Sequence, residues 1–526
     1  MLTLGMELLK NKIIKNRIII FLLLIYFSLH FPNLTSLPIF NDESIYLDWA
    51  WYNTHIPGHL YDSLLDAKQP LLVWIFGIFE NFFKDSLFAG RFVSVIFGSI
   101  TALGIYKLTQ KLLNKQTAFI TTLFYLIIPI FVFYNRQALM EASIATIGIW
   151  SFITLFNLLQ NPNSKNGIIL GLVLGFGFLI KSSSLIFIAS TLIIVLFYAI
   201  KKKRLKIMES YIISLITLAC LNFLLFINPV FWQTLPSNSR YSYTLTGLLK
   251  FPIVGWLNNI IGFFNIAFVF VTPLIFILSV SGIILMKKNK VKDFSIFIIY
   301  FILALLFEIL IGKWQNQRYI VPFLIFFIIP AGYVFNILWG GNLLKKSIVI
   351  ISFIIPLVLS LLVVFNPSYY ITELSKFSAY SDTTYVYGQT SGYGVNEVMR
   401  YIENNSSKST PSLIVFPLNI GNPESAVDLY SIRTQNILAL HIDREFFPNL
   451  SDYNCLSSKY PIFFVTRENQ QVGMDIYFSL AKKFPNPYGN YYVGVYTLKK
   501  NCVGKTLSIS DKYQNSIKKL LEIKSN

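Results

Sequence analysis

IIIFLLLIYFSLHFPNLTSLPIF, residues 18–40, followed at once by NDESIYLDWAWYNTHIPG, residues 41–58, sets the frame for the whole chain. The first piece is apolar and long enough to cross a hydrocarbon layer, which takes roughly 20 residues in a helix because lipid offers no partner for exposed backbone groups. The second places Asp42, Glu43 and Asp48 where the chain leaves that layer. Outward from this junction the same composition continues: the 526 residues are 54% hydrophobic, 16% aromatic and only 13% charged, against about a quarter charged in soluble domains. Apolar runs near 87–106, 117–134, 142–159, 167–180, 183–200, 208–228, 260–286, 294–311, 319–339 and 347–365 follow. With the first they predict a polytopic α-helical membrane protein of about eleven transmembrane helices.

A net charge of +19 would suit a nucleic-acid partner, but its placement excludes that motive. The basic runs KNKIIKNR at 10–17, KKKRLK at 201–206 and KKNKVK at 287–292, with Lys107, Lys111, Lys115, Lys165, Lys345 and Lys346, fall on one side when loops are assigned alternately. This is the positive-inside asymmetry. It predicts a multi-pass protein of the cell membrane with a cytoplasmic N-terminus, and it puts residues 41–58 outside. The apolar piece from Pro70 to Phe83 is too short to cross and is expected to lie along the interface, within a first extracytoplasmic loop at 41–86.

Composition changes after Asn366. Residues 1–366 are read as the membrane domain and 367–526 as an extracytoplasmic α/β domain. In the latter, β-like TTYVYG, SLIVFPL, NILALHI, PIFFVTR and YYVGVYTL alternate with helix-like GVNEVMRYIENN and QVGMDIYFSLAKKF. Cys455 and Cys502 fall in this exported part and could pair, whereas Cys220 is expected to be buried in a span. No internal repeat and no cleavable signal peptide is read.

Further ionisable residues mark the outer edge: Lys68, Arg91, Arg136, Glu141, Lys181, Lys313 and Arg318. Carboxylates and cations gathered at membrane depth on one leaflet read as a functional site. A lipid-phosphate sugar donor needs such a mixture: an apolar slot for its tail, Lys and Arg for the phosphate that leaves, and a carboxylate for the proton of an attacking hydroxyl.

The ordered elements NDESIYLDWA, KQPLLVW, AGRFVSVIFG, RQALMEAS, FLIKSSS and RYIVP across about 40–330 resemble the membrane glycosyltransferases of the C-type fold. They are most similar to the family 39-like group that includes protein O-mannosyltransferases and the bacterial lipid A aminoarabinose transferase. The resemblance implies transfer of a sugar from a polyprenyl-phosphate donor to an acceptor hydroxyl on a lipid, glycan or protein. It implies Asp42 as the catalytic carboxylate with Glu43 in support. Lys68, Arg91, Arg136, Glu141, Lys181, Arg318 and Tyr319 would bind the donor phosphate and sugar. The pattern departs from the common one at Ile45, Gln69, Glu141 and Ser182.

Other readings of these residues stay open. Asp42 and Glu43 also suit a helix cap, Lys68 and Arg91 could snorkel to headgroups, and Arg136 with Glu141 could form a structural ion pair. His55 and His59 invite zinc together with Asp48, but Pro57 and Gly58 break the helical spacing. No cofactor is expected, with a divalent cation on Asp42 and Glu43 left open and no metal residues assigned. The rival function is a transporter or lipid flippase using the same charges for substrate binding, although that class carries inverted repeats and ionisable groups at the bilayer midplane.

Overall fold

The computed structural model describes residues 17–406, 410–417, 421–442, 461–467 and 478–498. Six helices in it are long and apolar enough to cross a membrane: Ser86–Leu112, Glu141–Gln160, Ser182–Lys202, Ile253–Phe270, Phe294–Ile311 and Leu343–Phe365. A bent pair, Gln317–Phe327 with Ile329–Trp339 at 43°, makes a seventh if counted as one span. The other expected spans are shorter or broken, and prolines account for most of the breaks. A proline has no N–H to donate and disfavours helix in the residue before it. Thus 117–134 divides into Lys115–Ile127 and Pro129–Tyr134, and 260–286 divides at Pro273 into Ile253–Phe270 and Pro273–Lys288.

The first of that last pair tracks the rim beside the site. Trp256 Nε1 donates to the carbonyl of Leu310, Asn259 Nδ2 to those of Ile309 and Gly312, and Asn265 Oδ1 accepts from Ser378. Cys220, expected to be buried, is exposed on its helix, while Cys455 and Cys502 lie outside the described residues.

At the rim, the run that opened the sequence becomes the helix Arg17–His30, a turn, and the helix Asn41–His55. A short 3₁₀ turn, Asp62–Asp66, leads to the predicted interfacial helix Leu71–Glu80. The two rim helices touch at Gly77, where a Cβ would stand 2.5 Å from the carbonyl oxygen of Ala50. Gly90 does the same for the long helix Ser86–Leu112, since a Cβ there would meet Leu47 at 2.5 Å and Ala138 at 2.8 Å. These glycines let the helix that carries Asp42 sit directly on the bundle.

Beyond Phe365 the chain forms a small α/β layer. Its strands are β1 (Ser412–Pro417), β2 (Ile437–Ile442), β3 (Ile462–Arg467), β4 (Phe478–Pro485) and β5 (Tyr492–Leu498), in the order β2-β1-β3-β5-β4. β1 runs parallel to β2 and β3, with Leu413 opposite Leu438 and Ile462; β5 runs antiparallel to β3 and β4. The helix Val395–Asn404 appears as expected. Two expectations fail here. TTYVYG forms a 3₁₀ turn at Thr383–Tyr385, and the FSLAKKF part of the expected helix is strand β4. The apolar periodicity of FSLAKKF suits either state, and pairing with β5 decides for the strand.

The layer is fastened to the rim helix by its own polar groups. Asn422 donates through its backbone N to Asn41 Oδ1 (2.8 Å) and through Nδ2 to the carbonyl of Ile39 (2.9 Å). Tyr52 donates to Asp428 (3.2 Å), and Arg433 holds the carbonyls of Phe83 and Lys84.

Candidate active site

The helix Asn41–His55 starts because Phe40 is extended and its backbone N–H is accepted by Glu43 at 2.9 Å. Successive helical residues point about 100° apart, so Asp42 and Glu43 cannot share a target. Glu43 turns inward and is fully buried. It takes both prongs of Arg91, Nε at 2.8 Å and an η nitrogen at 2.7 Å, and the backbone N–H of Ala138 at 2.7 Å. Arg91 gives its other η nitrogen to the carbonyls of Leu34 (2.8 Å) and Leu37 (2.9 Å). Every strong hydrogen-bonding position of the pair is consumed inside the protein.

Asp42 turns the other way, into a cavity of about 650 Å³ that Lys68, Glu141, Lys181, Arg318 and Tyr319 also line. Arg318, in the first turn of Gln317–Phe327 behind an Asn316 cap, donates to Asp42 at 2.7 Å and approaches Glu141 at 3.4 Å. Glu141, the first residue of Glu141–Gln160, is met at 3.2 Å by Lys181, which ends Ser164–Ile180. The result is a continuous chain Asp42, Arg318, Glu141, Lys181. Gln69 accepts from the backbone N–H of Ser182 at 2.9 Å, which ties the Lys68 loop to the Lys181 loop.

Lys68 makes no ion pair among the described residues; its ammonium lies 4.9 Å from the centre of the Tyr241 ring. Burial lowers its pKa below the usual lysine value, against the pull of Asp66 and Asp42 and with the push of Lys181 and Arg318. For Asp42, burial pushes upward, but the charge and hydrogen bond of Arg318, with Lys68 and Asn41, hold the carboxyl below the ordinary range. It is thus an ionised, weakly basic acceptor.

Three residues expected at the site lie elsewhere. Glu43 and Arg91 form the buried pair above and do not line the cavity. Arg136, expected to bind donor, closes the turn after the first helix by donating to the carbonyls of His30 (2.6 Å), Pro32 (2.8 Å) and Asn33 (2.8 Å), and it is not paired with Glu141. The open cation reading fails on the donor set: Glu43 is spent on Arg91 and Asp42 on Arg318, so the two carboxylates do not converge. His55 bonds to the carbonyl of Trp51 and His59 to Asp62, so they do not meet either. Among the described residues no three of His, Cys, Asp and Glu are grouped for a metal.

The sequence reading missed Glu308, Tyr46 and, in the polar strap 238–244, Asn238, Ser239 and Tyr241 to Thr244, all of which line the cavity. Glu308 carried a usable signal as the one acid in the apolar helix Phe294–Ile311.

A helical bundle with acids and cations round one rim cavity, followed by a small α/β layer, has the architecture of the C-type membrane glycosyltransferase fold. Comparison with known proteins agrees. The family model for dolichyl-phosphate-mannose-protein mannosyltransferase matches residues 67–232. Among solved structures, ArnT from Cupriavidus metallidurans in the apo state superposes with a TM-score of 0.55 at 12% identity, covering 96% of this chain and 100% of that one. ArnT bound to undecaprenyl phosphate gives 0.55 at 11% identity, with 93% and 98% covered. The Archaeoglobus fulgidus oligosaccharyltransferase in complex with Zn and sulfate gives 0.53 at 12% identity, with 90% and 72% covered. A search of curated proteins returns no match. The chain has the C-type fold of membrane glycosyltransferases, and over residues 67–232 it is similar to the dolichyl-phosphate-mannose-protein mannosyltransferase family, in line with the resemblance of its ordered motifs.

Proposed function

We propose that the protein transfers a sugar from a polyprenyl-phosphate donor to an acceptor hydroxyl at the outer face of the membrane, with Asp42 as general base. The observation that carries this is the convergence of Asp42 with Lys68, Lys181 and Arg318 on one cavity. A neighbour of the same fold was solved with undecaprenyl phosphate bound, and another, the Archaeoglobus oligosaccharyltransferase, tethered to an acceptor peptide (TM-score 0.50). The outer-face assignment is supported by the far ends of the helices, which carry Lys107 and Lys111, Lys201 to Lys206, and Lys287 to Lys292.

In this reading the acceptor oxygen attacks the anomeric carbon as the bond from that carbon to the phosphate oxygen breaks, so configuration inverts. The hydroxyl proton passes to an Asp42 oxygen, and the carrier leaves as polyprenyl phosphate. Lys68 is the first candidate for its growing charge, since among the described residues no carboxylate pairs with it, and Lys181 adjoins. Arg318 holds Asp42 ionised and aimed. A weak base suffices, because the hydroxyl becomes acidic only as the new C–O bond forms. Purified protein in lipid, given a panel of polyprenyl-phosphate sugars and acceptors and followed by mass spectrometry, tests the reading. Asp42→Asn is expected to cut turnover about 10²- to 10⁴-fold; wild-type turnover by that variant rejects the role.

A further inference from the structure

Phe294–Ile311 reads FSIFIIYFILALLFEILI, apolar except for Glu308 one turn before its end. Glu308 lines the same cavity as Asp42 and the cations. The other two cavity carboxylates are occupied, Asp42 by Arg318 and Glu141 by Arg318 and Lys181. The carboxylate of Glu308 has neither an ion pair nor a hydrogen bond to any described residue, and the charge of Lys181 acts on it only through space. An acid in an apolar helix with no partner among the described residues stays ionised only where water or a ligand meets it, and otherwise takes up a proton.

The surroundings indicate what kind of ligand. The strap is laid against the end of this helix: Tyr243 donates its backbone N–H to the carbonyl of Ile311 at 2.8 Å, and Ser242 bridges Gly312. Ser239, Ser242, Tyr243 and Thr244 of the strap therefore share the cavity wall with Glu308. That wall is rich in hydroxyls and carries an acid where a phosphate would need a cation, so the phosphate is matched better by Lys68, Lys181 and Arg318. A carboxylate accepts hydrogen bonds, and its protonated form donates one as well. Its complement is a neutral group dense in O–H donors, tethered a few bonds from the phosphate.

We propose that Glu308 reads the donor sugar, accepting hydrogen bonds from ring hydroxyls while the cations hold the phosphate. This assignment rests on the transferase reading above and adds to it the residue that sets sugar preference. Sites built to accept from a substrate hydroxyl discriminate strongly against analogues that lack it.

The test uses the purified protein in lipid nanodiscs with one polyprenyl phosphate carrying a transferred hexose or each of its monodeoxy forms. For wild type, at least one deoxy donor is expected to raise donor KM about 10- to 100-fold, the worth of a hydrogen bond to a charged group. Glu308→Gln should raise KM for the parent donor comparably, show little further loss on that deoxy donor, and leave inhibition by the bare polyprenyl phosphate unchanged. Parent-like KM in Glu308→Gln, full additivity with deoxygenation, a shift confined to acceptor KM, or equal weakening of the bare carrier each overturn the assignment. If Glu308→Gln does not fold, wild type alone decides, because equal use of every deoxy donor is incompatible with a hydroxyl reader. A wild-type protein that transfers no sugar from any donor refutes the transferase reading itself, and this assignment with it.

Discussion

Replacing Glu43 by Gln separates two roles for the acid next to Asp42. The side chain keeps its shape but loses its charge, leaving the guanidinium of Arg91 with neutral acceptors alone, the new amide oxygen and the carbonyls of Leu34, Leu37 and Pro38, in a site that is 0% exposed. One of the two bonds of 2.7 and 2.8 Å loses its acceptor, and the other survives only as a neutral amide bond without the ion pair. Breaking a buried pair from one side costs about 3–5 kcal/mol, because the remaining charge stays desolvated and unmatched. Glu43→Gln and Arg91→Met are therefore each expected to lower the melting temperature of the detergent-solubilised protein by several degrees. The double variant should lose clearly less than the sum, since neighbouring sites couple by about 0.5–3 kcal/mol. Turnover per folded molecule should stay within a few-fold of wild type. A Glu43→Gln protein that melts like wild type yet loses activity 100-fold would place Glu43 in the chemistry and refute the structural assignment.

Two pH experiments follow from the same electrostatics. With Asp42 held below the ordinary carboxylate value and Lys68 below the ordinary lysine value, kcat at saturating donor should persist further into acid than an ordinary carboxylate base would allow and fall on the alkaline side earlier than an ordinary lysine would dictate. Lys68→Arg should move that alkaline limb upward, and an unmoved limb rejects Lys68 as its source. Glu80, at the end of the interfacial helix and 2% exposed, is pushed up to about 8 by burial, which Arg433 and Ser86 only partly offset. A carboxyl whose folded pKa lies above its ordinary 4.5 stabilises the fold in acid and withdraws about 1.4 kcal/mol per pH unit as pH rises from about 4.5 to about 8. Glu80→Gln should thus gain stability over wild type with rising pH in thermal melts. The difference between the two proteins is the quantity to read, because Asp48, raised by burial and by Asp428 and Glu80, adds a pH dependence of its own. A gap that stays flat from pH 5 to 8 contradicts the shift.

How far the sequence carried the reading depends on the range of the physics involved. Apolar length, the one-sided basic runs and the order of the motifs are local quantities, and they led to the membrane bundle, a short separate helix at Leu71–Glu80 and the appended α/β layer. Asp42, Lys68, Glu141, Lys181, Arg318 and Tyr319 were also within reach, since charge at membrane depth is costly wherever it falls, and the fold does gather them. Direction was not within reach. Asp42 and Glu43 are neighbours in the chain, yet a rotation of about 100° along the helix sends one to the cavity and the other to Arg91. Arg91 and Arg136 look the same as Lys68 or Arg318 in sequence, and only the position of carbonyls from residues 30–37 makes them staples. Glu308 needed the opposite correction, because its weight comes from what does not surround it. Composition and spacing fix what the chain must bury and where it must cross. Which polar group is spent on the protein itself and which remains for a ligand is settled by packing, because that depends on partners far apart in sequence.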